Sequence, residues 1–533
     1  VGGDNFTSIY GGILGGAGSL IKSGSGTLQL SGANTYVGVT SITAGVLNIA
    51  SAGALGTVAG NTTITSGAAL EIQGGITTLA EPLTLGGGGI NNSGALRNVS
   101  GANTFAGAVQ VGTLVSPGGT LELTGANAFG ALTVFAGTVN VSASQNNTGS
   151  ITLNNGATLD VLAAGQLFNS AYNNAATVTV NAGATWRMVN LAYGSNAGGQ
   201  LSDYAARRVL NGGTMIVTGD TQDVGNNFTV NATTGGTFRY APTNAGQTLT
   251  FSGNANSDIA LNGPLALQAV GGALAINENI VGAGSITKTG NGNLTLGGVN
   301  TFTGNLVISE GAFNVNGAYA LGRGTVSLPA GVTLDNTSGA DVNVATATAI
   351  NLGDGVLNFT GTNSLSLGYG TVTLPANTTV NVTAKTLSLD GPVAGAFGIT
   401  KTGAGTLALH APSNTFTGGV TVNAGLLSIG KYVTGSAGTG AVVFNGGGIA
   451  FDDYQALRTF DLAGDSLLNM PPDVRDALLA TARRVGCLDD ATLRALVDES
   501  TTIIDAGGCG NGRVTDAGIE ALAARHALRN VVA

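Results

Sequence analysis

Along most of the chain, apolar residues recur at every second position for a short run and then give way to glycine and asparagine. Leu28 and Leu30, and again Leu47 and Ile49, alternate with Thr, Gln, Asn or Ser. Every second side chain can therefore point to one face of a strand. The intervening Gly-x-Asn and Ala-Gly steps are turn chemistry, because Gly and Asn accept the left-handed backbone of a tight corner. The same arrangement recurs along the chain. Lys22 to Gly38, with Gly26, Leu28, Leu30, Gly32, Asn34, Thr35 and Tyr36, reappears without a gap as Lys288 to Gly304, with Gly292, Leu294, Leu296, Gly298, Asn300, Thr301 and Phe302. A third copy runs from Lys401 to Ile429, and a looser one from Gly119 to Val141. Three short strands and three corners per copy describe one coil. A lone coil cannot bury its apolar face, but stacked coils share one core and pair every strand above and below. A coil of roughly 20 to 25 residues predicts about 20 coils. The expected fold is all-β: a long solenoid over 1–463, with a possible loop insertion at 186–210.

Composition supports this picture. The chain has 533 residues, 89 of them glycine, only 9% charged and 43% hydrophobic. That is too long for one ordinary core and too apolar for a disordered linker. With a net charge of −9 and no basic run, nucleic acid is not an expected partner. No stretch reaches the length of a membrane-spanning helix. The start at Val1, without a signal-type segment, predicts a processed or excerpted product.

The pattern Gly-x-Gly-x-Leu-x-Leu-x-Gly-x-Asn-Thr-[Tyr/Phe]-x-Gly, followed by Ala-Gly-x-Leu, resembles the passenger-associated strand repeat of bacterial autotransporters and related surface proteins. It is carried at 22–49, 119–141, 288–315 and 401–429, with degenerate coils between. The resemblance implies a right-handed parallel β-helix displayed outside the cell as an adhesin or stalk. The sequence departs from that family by ending in a helical pattern where an autotransporter would end in a membrane barrel.

Within the repeat, Asn34, Asn103, Asn127, Asn300 and Asn414 are expected to stack as amide ladders inside corners, satisfying buried backbone groups. Tyr36, Phe105, Phe129, Phe302 and Phe416 are expected beside them in the core. Lys22, Lys288 and Lys401 read as solvent-facing corner residues. Each precedes Ser-Gly or Thr-Gly, and Lys22 and Lys288 also close Ser-x-x-Lys patterns. This overlap on one lysine does not match the separate elements of penicillin-binding enzymes.

Two segments break the strand pattern. Trp186, Tyr193 and Tyr204 beside Arg207 and Arg208 suggest either a binding ledge for a sugar or protein or a loop packed over the core. The second break is 464–533, Leu- and Arg-rich, where Pro471, Asp489 and Thr515 open three helical patterns; a small helical domain is expected. Asn511-Gly512-x-Val514 resembles the calcium loop of EF-hand or dockerin modules. Its first, third and last positions would be Gly507, Cys509 and Gly518, which lack the required oxygens. The two cysteines, Cys487 and Cys509, are a candidate disulfide for so small a domain, or free buried thiols.

Catalytic side chains are scarce. His410 and His526 are the two histidines. His410 reads as a surface or corner residue, and neither a serine triad nor a histidine metal cluster is expected. A β-helix lyase or hydrolase would need clustered carboxylates, and Asp220 and Asp223 read as turn caps. The expectation is a structural or adhesive exported protein with no enzymatic activity and no cofactor. It either joins end to end into a filament through its tail or acts as a monomeric adhesin. Self-association and a surface glycan or protein ligand are the expected partners.

Overall fold

The computed structural model describes residues 5–451 apart from 125–127, 143–149, 163–176, 189–206, 219–221, 224–227, 231–233, 252–257, 412 and 431–436, and beyond them 503–505 and 530–532. The described residues form a parallel β-solenoid of about 17 turns, divided between two compact units, Val1–Ile286 and Thr287–Ala533. Among the described residues the helical content is a 3-10 turn, Ile90–Asn92.

In the first unit, alternation places the leucines of successive coils in columns. Leu28 pairs with Leu47, Leu47 with Leu70 and Leu70 with Leu96, all in parallel register and all buried. A second ladder runs through Leu20–Lys22, Thr40–Ile42, Thr62–Ile64 and Leu83–Leu85. Further along, Leu159, Trp186, Met215, Phe238 and Leu267 form a column of larger side chains. Each such residue withdrawn from water contributes roughly 1.5–3 kcal/mol, which a lone coil could not collect.

The second unit shows three ladders. One stacks Leu306, Val326, Ile350, Val372 and Val393. Another stacks Leu294, Phe313, Leu334, Phe359 and Val382. The third stacks Leu365, Leu387, Leu407, Leu427 and Ile449. These are the three strands per coil that the pattern implies.

Two sequence expectations change here. Trp186 does not lie on a surface ledge: it occupies the inward position of Thr185–Met188 and is 3% exposed. Arg207 opens the strand Arg207–Asn211, which pairs along Thr177–Asn181, so the solenoid resumes before residue 210. In the tail the expected helices lie outside the described residues. The described residues there are two strands, Ile503–Asp505 and Asn530–Val532, paired in parallel.

Candidate functional site

The repeat's recurring lysine is where the structure departs furthest from the sequence reading. In Leu20–Lys22 the pleat turns Ile21 outward and sends Leu20 and Lys22 inward. Lys22, Lys288 and Lys401 are completely buried. The expectation of solvent-facing lysines is therefore corrected: their two-residue spacing from Leu20, Ile286 and Ile399 puts them on the core face.

Each ammonium ends beneath a corner and donates to three carbonyls, matching its three protons. Lys22 Nζ reaches Ser23 O at 3.1 Å, Gly24 O at 2.8 Å and, from the next coil, Ala44 O at 3.0 Å. Lys288 Nζ donates to Gly290 O, to Gly292 O at 2.6 Å and to Glu310 O at 2.8 Å. Lys401 Nζ donates to Thr402 O at 2.7 Å, Gly403 O at 2.8 Å and Ala424 O at 3.1 Å. A single charge thus ties the corner of one coil to the following one. Burial pulls the ammonium groups of Lys288 and Lys401 down to about 8, the charge of Glu310 acting the other way on Lys288. Lys22 is lowered by the same cause.

The corner also explains the Ala-Gly step of the repeat. Gly311 has φ 79°, and a Cβ there would lie 2.5 Å from Lys288 Nζ and 2.8 Å from the carbonyls of Gly290 and Gly292. At Gly425, φ 67°, a Cβ would meet Lys401 Nζ at 2.8 Å. Glycine at this position supplies both the left-handed backbone and the space for the ammonium.

The corner asparagines act on the backbone of neighbouring coils. Asn34 Oδ1 accepts from Leu14 N at 2.8 Å and its Nδ2 donates to Ala54 O at 2.6 Å. Asn300 Nδ2 donates to Ala320 O at 2.8 Å. Asn414 Oδ1 accepts from Val393 N at 2.7 Å, and Asn103 Oδ1 from Ile76 N, also at 2.7 Å. Tyr36, Phe105, Phe302 and Phe416 are buried beside them.

A family model, described as the passenger-associated-transport-repeat, matches residues 20–49, 118–143, 286–315 and 399–429. Three of those four segments open on a buried lysine corner and close on its glycine. The chain carries the passenger-associated transport repeat. Among curated proteins it is similar to the adhesin BmaC autotransporter of Brucella suis biovar 1 (strain 1330), 27% identical over 518 residues. That alignment covers 85% of this chain and 13% of the relative, so the chain spans only a small part of the relative's length. No solved structure matches.

The remaining sequence candidates fall in several places. Arg208 is buried on an inward position, its guanidinium lowered to about 10 by desolvation. Phe129 lies in the strand Ala128–Val141. Asn127, Tyr193, Tyr204, Cys487 and Cys509 lie outside the described residues.

The structure also shows two constellations the sequence reading missed, one between the matched segments 118–143 and 286–315 and one running into 399–429. The first is a true amide ladder: Asn181 Nδ2 donates to Asn154 Oδ1 at 3.0 Å, Asn211 Nδ2 to Asn181 Oδ1 at 2.8 Å, and Thr234 Oγ1 to Asn211 Oδ1 at 2.7 Å. Its signal was an asparagine directly after the last inward residue of a strand, at Leu153-Asn154, Val180-Asn181 and Leu210-Asn211. The second surrounds His410, which is half-buried. Its Nδ1 lies 3.2 Å from Asp390 Oδ1 and its Nε2 3.4 Å from Ser428 Oγ, while Ser366 and Ser388 donate to the same carboxylate. Stacking thus brings together a serine, a histidine and an aspartate that the sequence did not predict would meet. Ser428 nevertheless sits in a ladder with Ala408 below and Ala450 above, and Gly430 N is spent on Leu409 O. The strand's N–H groups face its partners and do not form a pocket for a developing oxyanion. The cluster reads as an inter-coil clasp. Among the described residues no three metal-ligating side chains gather.

Proposed function

We propose that the chain is a non-catalytic, exported adhesin passenger, a β-solenoid presented at the cell surface. The observation that carries the reading is the coincidence of the matched repeat with the buried lysine corners, in a chain resembling a protein named an autotransporter adhesin. Stacked coils with every strand paired give a stiff scaffold, and adhesion would reside in outward side chains and corner loops. The partner is a glycan or protein of another surface, with nucleic acid disfavoured by the net charge of −9. No helix among the described residues is long and apolar enough to cross a membrane. Displaying the 533-residue chain on a non-adherent bacterium should raise attachment to host cells or matrix several-fold. Attachment equal to that of the empty display carrier overturns the reading.

One observation favours a second reading, assembly into filaments. The strand Ser8–Tyr10 is exposed along its length and pairs with Thr27–Leu30, with Phe6 78% and Ile13 66% exposed beside it. Such an edge can receive another chain, and residues 464–533 would supply the connector. Fibres in electron micrographs that dissolve on deleting 464–533 would support it; single particles at every concentration would exclude it.

A further inference from the structure

Glu81 is the most deeply buried acid among the described residues, and neither the repeat nor the proposed function uses it. It is 2% exposed, inside the first unit, just before the strand Leu83–Leu85. One carboxyl oxygen accepts from Thr62 Oγ1 at 2.8 Å; the other is buried and has no hydrogen-bond partner. Thr62 is the ladder neighbour of Thr40, whose hydroxyl meets Tyr36 OH at 2.5 Å. The strand that Glu81 precedes is laddered with Thr62–Ile64 and with the start of Val109–Leu123, and Thr62–Ile64 in turn with Thr40–Ile42, while a Cβ at Gly107 would lie 1.8 Å from the Glu81 carbonyl. The polar groups these elements and the corner before them bring near are Thr40, Thr62 and Tyr36. The phenol of Tyr36 is pushed up to about 12, by burial first and then by the charge of Glu81, against its bond to Thr40, and so stays neutral. The groups acting on the Glu81 carboxyl include no cation.

A carboxylate placed there would be an unpaired buried charge, whereas the neutral acid fits with one unmet oxygen. We propose that Glu81 is a proton-operated lock on the coils from Tyr36 to Val109, closed when the acid is neutral and loosened when it ionises. Burial pushes its carboxyl up to about 7, the Thr62 hydroxyl acting against that shift. The direction follows by linkage. A carboxyl whose folded value is raised keeps its proton in the fold while the unfolded chain loses it. Stability is therefore full below the ordinary carboxylate range and falls as pH rises towards about 7. A protein held outside the cell meets such changes directly, yet the lock stands whether or not the adhesin reading does.

The test is hydrogen exchange of the full chain at about pH 5 and pH 8, corrected for intrinsic rates, read over peptides spanning 36–42 and 60–85. The local opening constant should rise at least about tenfold from acid to mildly basic pH. Glu81→Gln, an isostere of the neutral acid, should stay protected at both. Equal protection of the unmodified chain at both pH values, or an unchanged pH response in E81Q, overturns the proposal. Should E81Q misfold, infrared difference spectra of the unmodified chain give an independent reading. A band from a buried protonated carboxylic acid must be present at pH 5 and vanish by pH 8, and its absence at pH 5 also overturns the lock.

Discussion

At the corner of Lys288, one charged group satisfies three carbonyls drawn from two coils, fully out of water. Along Asn154, Asn181 and Asn211, each coil contributes one neutral, half-buried amide to a chain of side-chain bonds. The two devices differ in what they demand of coil length. The lysine reaches a carbonyl 22 residues on at Lys22 and Lys288 and 23 at Lys401. The amide ladder accepts steps of 27 and 30 residues. A buried ammonium fixes the size of a coil, because one donor left unmet inside the core is costly. An amide at the rim leaves the rest of the coil free to bulge, because water can replace a missing partner. The three matched segments that carry the lysine are therefore the metronome of the solenoid, and divergent coils lie between them.

The comparison breaks most sharply at the glycine. Gly311→Ala would press a methyl group against Lys288 Nζ and two carbonyls at a positive φ. The left-handed backbone alone costs about 1–2 kcal/mol, and displacing the ammonium brings the local loss to about 3 kcal/mol or more. Hydrogen exchange over 286–315 should show it, while an alanine at Gly331, where the added atom meets nothing, should pay only for its φ of 83°. Equal effects at the two glycines would deny the corner its special role. Lys288→Met comes next. It keeps the stem and leaves the Gly290, Gly292 and Glu310 carbonyls unmet, costing about 2 kcal/mol in the same peptides. A solvent-facing lysine would instead give a change near zero.

The corner also has a pH signature of definite sign. Lys288 and Lys401 sit near 8 in the fold, below the ordinary 10.5. From about pH 8 to 10.5 the unfolded chain binds more protons, so stability rises with pH. Protection over 286–315 and 399–429 should therefore increase between pH 8 and 10, and Lys288→Met should abolish the gain in its own segment only. Across the ladder, Asn181→Ala should lose about 1 kcal/mol, read as faster exchange in 177–188. That would place the rim below the corner in strength, and a loss exceeding that of Lys288→Met would reverse the ranking.

Much of this was legible in the sequence, and what was missed has a common cause. Short alternating runs at a fixed recurrence dictated strands, corners and the shared core, because a coil has no other way to bury Leu28, Leu47 and Leu70. Strand alternation also contained the lysine's inward direction. The usual preference of Lys for water outweighed it, because the sequence does not display a corner's converging carbonyls. Trp186 was left between a ledge and a covering loop for the same reason: its inward place on a strand does not show until Leu159 and Met215 are seen in register with it. The His410 cluster was invisible because its members meet only through stacking, from four successive coils.

That cluster offers the mildest test. Burial pushes the Asp390 carboxyl up, but the bonds from His410, Ser366 and Ser388, together with the charge of His410, leave it below its ordinary value. A carboxyl lowered in the fold contributes stability above its ordinary range and loses it as pH falls through the folded value. Asp390 and His410 are partly exposed, so solvent screens their pairing and the effect is about 1 kcal/mol at most. Asp390→Asn should lower protection of 386–410 slightly at neutral pH and flatten its decline between about pH 5 and pH 2. If the clasp instead worked as a nucleophile's base and orienter, a serine-directed fluorophosphonate would label Ser428 and the label would vanish in His410→Ala. The ladder partners on both sides of Ser428 lead to the opposite expectation: no labelling in either protein, with only the small acid-dependent loss marking the cluster.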